Sequence, residues 1–196
     1  MTQHRSGRTP LIALALVICA LAVAYFIPRS LVPETSGLEK AEVDWVSDGD
    51  TLVVYLKGQR EKVRLLYIDT PESVKQDSNA NCSEGWEASR HVEAVLPGGT
   101  VVYLQSDGGD DRDEYGRLLR FVWLDVPSEN PDKAEIRAKM LNAQLVADGY
   151  AIVTHYANGT ALGDYLRDLE SSASSPYSSG RTAREAIKAG HRADQE

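Results

Sequence analysis

Cysteine is nearly absent from this chain: of 196 residues, only Cys19 and Cys82 carry a thiol. Cys19 lies inside an apolar run near the N-terminus, so no internal disulfide is expected to staple the domain that follows. That domain must be held by its core. No Cys/His set at metal-ligand spacing is present, which argues against zinc, and Cys82 has no histidine in its local motif to activate it as a nucleophile. Positive charge is scarce as well. The chain has 21 Lys and Arg against 29 Asp and Glu, a net charge of −8, and Arg5, Arg8 and Arg29 fall in an N-terminal stretch that holds no acid. This balance excludes a protein that grips nucleic acid through a broad basic surface. It leaves room for one that needs only local positive charge and a metal. Internal repeats are lacking too. The one long hydrophobic run, Leu11 to Ile27, follows His4, Arg5 and Arg8 and is closed by Pro28-Arg29. It reads as an export signal or a single membrane anchor, placing the rest outside the cytoplasm, secreted or at the cell surface.

The remaining sequence divides by its periodicity. Residues 1–30 form the signal or anchor, 31–38 a linker, 39–170 one domain, and 171–196 a Ser-rich tail. Ala41–Val46, Thr51–Leu56 and Glu61–Ile68 alternate as three strands, with Lys57-Gly58-Gln59 as a hairpin turn. Asn81 with Glu84 signals a helix running through Leu96, where Pro97-Gly98-Gly99 stops it. Strands near Val101–Gln105 and Leu118–Leu124 complete a set of five, which a barrel would close. A second helix is predicted from Asp132 to Asp148, with Ile136, Met140, Ala143 and Ala147 on one face and Gly149 as its stop. A third starts near Thr160 and continues through Leu169. The Ser171–Pro176 stretch then predicts a flexible break, followed by a short helix capped by Thr182 and Glu185, ending near Lys188 and loosely attached.

Three fragments carry chemistry. Arg64-Leu65-Leu66-Tyr67-Ile68-Asp69-Thr70-Pro71-Glu72 places an arginine, two carboxylates and a threonine at the end of an otherwise apolar strand that Thr70-Pro71 stops. Asp48-Gly49-Asp50-Thr51 sets a carboxylate pair in a tight turn, and Asp113-Glu114-Tyr115-Gly116-Arg117 brings a second arginine beside a glycine. Taken singly, an Asp-Gly turn, a helix cap and a hairpin corner would explain them. Together they suit phosphodiester hydrolysis, because an anionic diester repels an attacking hydroxide unless metal and guanidinium charge offset the repulsion.

In that order the fragments resemble the staphylococcal nuclease, or thermonuclease, family, over about Glu39 to Glu170. The resemblance implies an α+β fold: a five-stranded OB-type β-barrel with three packed helices, here preceded by the N-terminal apolar signal or anchor helix. It implies that Asp50, Asp69 and the carbonyl of Thr70 bind calcium, that Arg64 and Arg117 bind phosphate, and that Glu72 activates water. It further implies calcium-dependent endonucleolytic cleavage of DNA and RNA with little base preference, leaving 3′-phosphate ends. Thr154-His155-Tyr156 falls where the family carries a tyrosine pair that packs against the nucleotide.

The residue types support that chemistry on their own account. Carboxylates and a carbonyl are hard oxygen donors for calcium, magnesium or manganese, among which sequence does not choose. Each arginine can offer a planar fork to phosphate oxygens, so lysine at either place should lower turnover while leaving thermal stability nearly unchanged. Asp48 and Asp113 are candidates for support behind the site, while the run from Asp107 to Glu114 reads as a solvated loop. Two other functions stay open: a noncatalytic OB-type binding module, and a surface-anchored interaction protein that uses the acidic loop. The six matched residues favour the enzyme. No obligate protein partner is implied, and a monomer is expected.

Overall fold

The computed structural model describes residues 37–73 and 83–193. The expected signal or anchor, including residues 11–27, and Cys82 lie outside them. No helix among the described residues is long and apolar enough to cross a membrane.

Five strands close a barrel: β1 (Glu39–Asp48), β2 (Thr51–Leu56), β3 (Gln59–Leu65), β6 (Leu118–Trp123) and β5 (Val101–Gln105), in that order, with β5 returning to β1. Only the β3–β6 pairing is parallel. Apolar residues from the strands fill the barrel: Val43, Leu52, Val54, Val63, Leu65, Leu104 and Phe121 are all buried. The β2–β3 turn is tighter than predicted. Lys57 and Gly58 both take positive φ (51° and 79°), a combination suited to a two-residue hairpin loop, and Gln59 already pairs with Leu56.

The expected strand Glu61–Ile68 is broken. β3 ends at Leu65, the chain turns at Leu66-Tyr67, and Ile68–Asp69 forms a separate strand, β4, paired with β7 (Ile152–Val153). Tyr67 sits at φ 67°, which costs a side-chain-bearing residue about 1–2 kcal/mol. Packing offsets this. Its ring meets Phe121 edge-on at 5.0 Å, and its carbonyl accepts from Thr154 N at 2.9 Å. Asn142, fully buried, closes the corner by donating to the Leu66 carbonyl at 2.9 Å and accepting from Val122 N at 3.0 Å. The apolar pattern runs through residues 61–68 without showing the turn, because the contacts that hold it come from 54 to 87 residues away.

Helix α1 (Ser83–Val95) stops where Pro97 predicts. Its expected start at Asn81 lies outside the described residues. The single helix predicted from Asp132 to Asp148 is instead two, α2 (Lys133–Lys139) and α3 (Leu141–Ala147). Met140 between them is extended (φ −95°, ψ 117°) and fully buried. It bridges Trp123, while Lys139 O accepts from Leu124 N at 2.8 Å. The helix gives up its continuity so that the end of β6 can hydrogen-bond to it. Thr160 caps α4 (Ala161–Ser172) by accepting from Gly163 N at 2.9 Å. A last helix, α5 (Ala183–Ala193), runs past the predicted end at Lys188. Thr182 and Glu185 cap it reciprocally, Thr182 N donating at 2.8 Å and Glu185 N at 3.3 Å. The described residues therefore contain five α-helices, where three domain helices and a short tail helix are expected, and the split at Met140 accounts for the difference.

Candidate active site

Strand register brings the three fragments to one end of the barrel. Thr51 pairs with Arg64 across β2 and β3, and Arg64 pairs with Leu119 across β3 and β6. Asp50, just before β2, therefore lies beside Arg64, and Arg117, just before β6, arrives on the other side. The break at Leu66-Tyr67 turns Asp69 and Thr70 back toward the same place.

Asp50 is buried and saturated with donors. One oxygen accepts from Thr51 Oγ1 at 3.0 Å; the other accepts from Thr70 N at 3.0 Å and Thr70 Oγ1 at 3.2 Å. Arg64 Nη2 stands 3.2 Å from Asp50 and 2.8 Å from Asp69, while Nη1 donates to the carbonyls of Leu65 (3.0 Å) and Ile68 (2.9 Å). Its guanidinium thus ties both carboxylates to the turn between β3 and β4. Four contacts to the chain depend on the fork, so a lysine at position 64, expected from the sequence to leave thermal stability nearly unchanged, is expected from these contacts to lower it. Burial, then the neighbouring charge of Asp50, pushes the Asp69 pKa up to about 6, against the opposing pull of Arg64.

Asp48 stands behind this corner. Its Oδ1 accepts from Gly49 N (2.8 Å), Ser73 Oγ (2.9 Å) and Ser89 Oγ (3.2 Å). A side chain on Gly49 would begin 2.7 Å from Thr70 Oγ1, so glycine lets the two acidic turns approach. Glu72, two residues past Thr70, is exposed, while Pro71 and Ser73 on either side are buried.

Arg117 is aimed by Asp113. Asp113 Oδ2 accepts from Arg117 Nε at 2.7 Å, and Oδ1 from Arg117 N at 2.9 Å and Tyr115 N at 3.0 Å. Partial burial raises the Asp113 pKa, but these hydrogen bonds outweigh it and leave the carboxyl below its ordinary value. The acidic run is thus only partly a solvated loop, since Asp113 orients Arg117 and Asp111 pairs with the buried Arg120 at 2.5 Å. Arg117 Nη1 also donates to Thr51 Oγ1 at 3.4 Å, and Thr51 donates in turn to Asp50. Thr51 stands inside the motif, yet nothing local assigns it this bridging role, and Ser89, 41 residues from Asp48, carries no sequence signal.

A groove of about 680 Å³ opens along this end of the barrel. Arg64 and Arg117 line it, and Asp110, Asp113, Glu114, Tyr115 and Tyr156 belong to the same lining. Both tyrosines are about three-quarters exposed. Arg117 lies over the Tyr115 ring at 5.4 Å, and His155 packs against Tyr156 at 4.0 Å. Asp50 and Asp69 are not among the groove's lining residues, but both contact Arg64, which is.

A family model described as staphylococcal nuclease homologue matches residues 62–176. The chain belongs to the staphylococcal nuclease homologue family. An uncharacterized protein of Bacillus anthracis is 42% identical over 99 residues, which is 50% of this chain and 45% of that one. The endonuclease YncB of Bacillus subtilis strain 168 is 39% identical over 93 residues, 46% of this chain and 42% of that one. The thermonuclease of Staphylococcus intermedius is 31% identical over 151 residues, 76% of this chain and 81% of that enzyme. The chain thus spans under half of the two Bacillus relatives and most of the staphylococcal one. The family model stops just before Tyr177.

Among the described residues, no group of three or more His, Cys, Asp or Glu side chains is arranged to hold a metal. In this nuclease-family site, side chains supply only two carboxylates, and carbonyl and water oxygens would have to complete a coordination shell. Such a donor set still fits a hard divalent cation. Asp50 and Asp69, with Asp48 nearby, share one corner with Arg64, and the repulsion that adds to burial in raising the Asp69 pKa is what a cation would relieve.

Proposed function

We propose that this chain is an exported, calcium-dependent endonuclease built on an OB-type barrel, hydrolysing DNA and RNA with little sequence preference and leaving 3′-phosphate ends. The observation that carries the reading is the convergence of Arg64 and Arg117 on one groove, with Arg64 linked directly to Asp50 and Asp69. The names of the thermonuclease and endonuclease relatives support it. So does the residue-by-residue match to the family motif.

Calcium held by Asp50, Asp69 and the Thr70 carbonyl would neutralise charge building on the phosphate and make a nearby water easier to deprotonate. The chain's own residues supply the rest. Arg64 faces the groove from β3 and Arg117 from the loop just before β6, so a phosphate between them meets donors from both as its charge rises. Asp113 and Thr51 keep Arg117 from swinging away. Glu72 takes the proton from the attacking water, oxygen attacks phosphorus, and the bond to the 5′ oxygen breaks; that oxygen takes up a proton from solvent, giving a 3′-phosphate and a 5′-hydroxyl. Tyr115 and Tyr156 offer aromatic faces to unstacked bases, a contact that reads no sequence. The acidic lining beside the arginines favours short engagement and product release over tight binding.

The test is cleavage of single-stranded DNA by the full chain, with calcium and with chelator, scored by end-labelling. Calcium should support cleavage, chelator and Asp50→Ala should abolish it, and the products should carry 3′-phosphates. Full cleavage in excess chelator would defeat the metal assignment.

A further inference from the structure

Helix α1 touches the active-site corner with one face and the chain after α4 with the other. On the first face, a side chain on Gly85 would begin 2.1 Å from the Glu72 carbonyl oxygen, 2.3 Å from its carbon and 2.6 Å from Ser73 N. Backbone therefore meets backbone there, with no side chain to absorb a shift. One turn later, Ser89 donates to Asp48, and the Ala88 Cβ lies 3.0 Å from where a Gly49 side chain would start.

On the second face, residues 177–186 fasten to the helix and to its neighbour Tyr150. Tyr177 OH donates to the Tyr150 carbonyl at 2.8 Å, and its ring meets Tyr150 edge-on at 5.6 Å. Ser178 donates to Glu87 through N at 3.0 Å and Oγ at 3.1 Å. Ser179 Oγ donates to Glu84 at 2.5 Å, and Arg181 Nε pairs with the same carboxylate oxygen at 2.8 Å. Glu84 is fully buried and directly precedes Gly85. Ala88, Tyr177 and Ala183 form one apolar cluster, so a single alanine joins the tail to the Gly49 turn.

We propose that residues 177–186 form a clasp that positions Glu72 through α1, with Ser179 and Arg181 as positioning residues for the hydrolytic reaction. The proposal rests on Glu72 acting as the base. A buried carboxylate holds its charge only while donors surround it. Without Ser179 and Arg181, Glu84 loses its two shorter side-chain partners, retains the Ser83 hydroxyl at 3.2 Å, and gains by turning to water, and the first turn of α1 moves with it. Gly85 passes that movement to the Glu72 peptide, and a misplacement of about 1 Å far from the chemistry can lower turnover by roughly 10²-fold.

The experiment measures kcat and KM on a single-stranded oligonucleotide for the full chain carrying Ser179→Ala with Arg181→Ala, alone and combined with Glu72→Gln. The double variant should lower kcat by about 10-fold or more with KM within about twofold, and restoring Ser179 with Arg181→Lys should recover most of the loss. In the Glu72→Gln background, the same pair should bring no further loss, because both changes act through one group. An equal loss in both backgrounds would overturn the proposal. Parental kcat in the double variant, with Glu72→Gln impaired, would overturn the clasp and leave the nuclease reading standing. Parental turnover in Glu72→Gln itself would remove Glu72 from the chemistry, and the proposal with it. If the double variant loses its fold, Tyr177→Phe keeps the ring and drops one hydrogen bond. Lowered kcat at parental KM then supports the clasp, and parental kcat overturns it.

Discussion

Exchanging each arginine for lysine should separate two roles that look alike in the sequence. Arg64 donates to two carbonyls and contacts two carboxylates, and its side chain is only 16% exposed. A lysine ammonium can keep one carboxylate partner but cannot span all four groups. Two hydrogen bonds to the turn are then lost, at about 0.5–1.5 kcal/mol each. The loss of roughly 1–3 kcal/mol corresponds to about 2–4 °C per kcal/mol for a domain of this size. Arg117 rests on a more open pair with Asp113, of the kind worth about 0.2–1 kcal/mol, so Arg117→Lys should melt close to the parent. Turnover should fall about 10²–10³-fold in both, the scale for losing one preorganised donor. Thermal melts followed by circular dichroism, with steady-state cleavage assays on the same samples, read both quantities. A parental melting temperature in Arg64→Lys would mean that its four contacts do not hold the corner. Parental turnover in either variant would remove that arginine from the phosphate clamp.

Glu72→Gln should keep calcium and nucleotide binding by calorimetry while losing roughly 10²–10⁴ in turnover; simultaneous loss of metal binding would make Glu72 a ligand instead. Asn142→Leu leaves the Leu66 carbonyl and Val122 N–H buried without partners. It should destabilise the fold by about 1–3 kcal/mol per group, read by urea denaturation, and a parental midpoint would contradict the role given to that bridge. Burial lowers the pKa of His91, which stacks on Tyr150 at 4.1 Å, against the opposing charge of Asp148. The unfolded chain therefore binds the proton more readily, so stability is full above the ordinary pKa of about 6.5 and is lost as pH falls through the depressed value. Replacing His91 with Phe should flatten that part of the curve in melts from about pH 7 to pH 5, and an unchanged slope would place the dependence elsewhere.

Much of this protein was legible in its sequence, for local reasons. Alternation over Thr51–Leu56 defined a strand whose bounds the structure repeats, and the strand expected near Val101–Gln105 is there as well. Pro97, Thr160 and the Thr182/Glu185 pair marked helix ends because capping and helix stops involve residues close in sequence. The acidic turn and the two arginines stood out because hard oxygen donors and guanidinium groups do not belong at the ends of apolar strands. Tertiary structure alone decided the rest. The break at Tyr67 depends on Phe121, Asn142 and Thr154, and the interruption at Met140 depends on the end of β6. Arg64 looked like a ligand-binding group, but strand register made it a cross-link as well, because Thr51 pairs opposite it and brings Asp50 alongside. The same holds for residues 177–186. Their serines read as a flexible tail, since composition counts polar groups and cannot show that buried Glu84 and the backbone around Tyr150 wait to receive them. Sequence determined which residues could do the chemistry; long-range packing decided which of them also hold the site together.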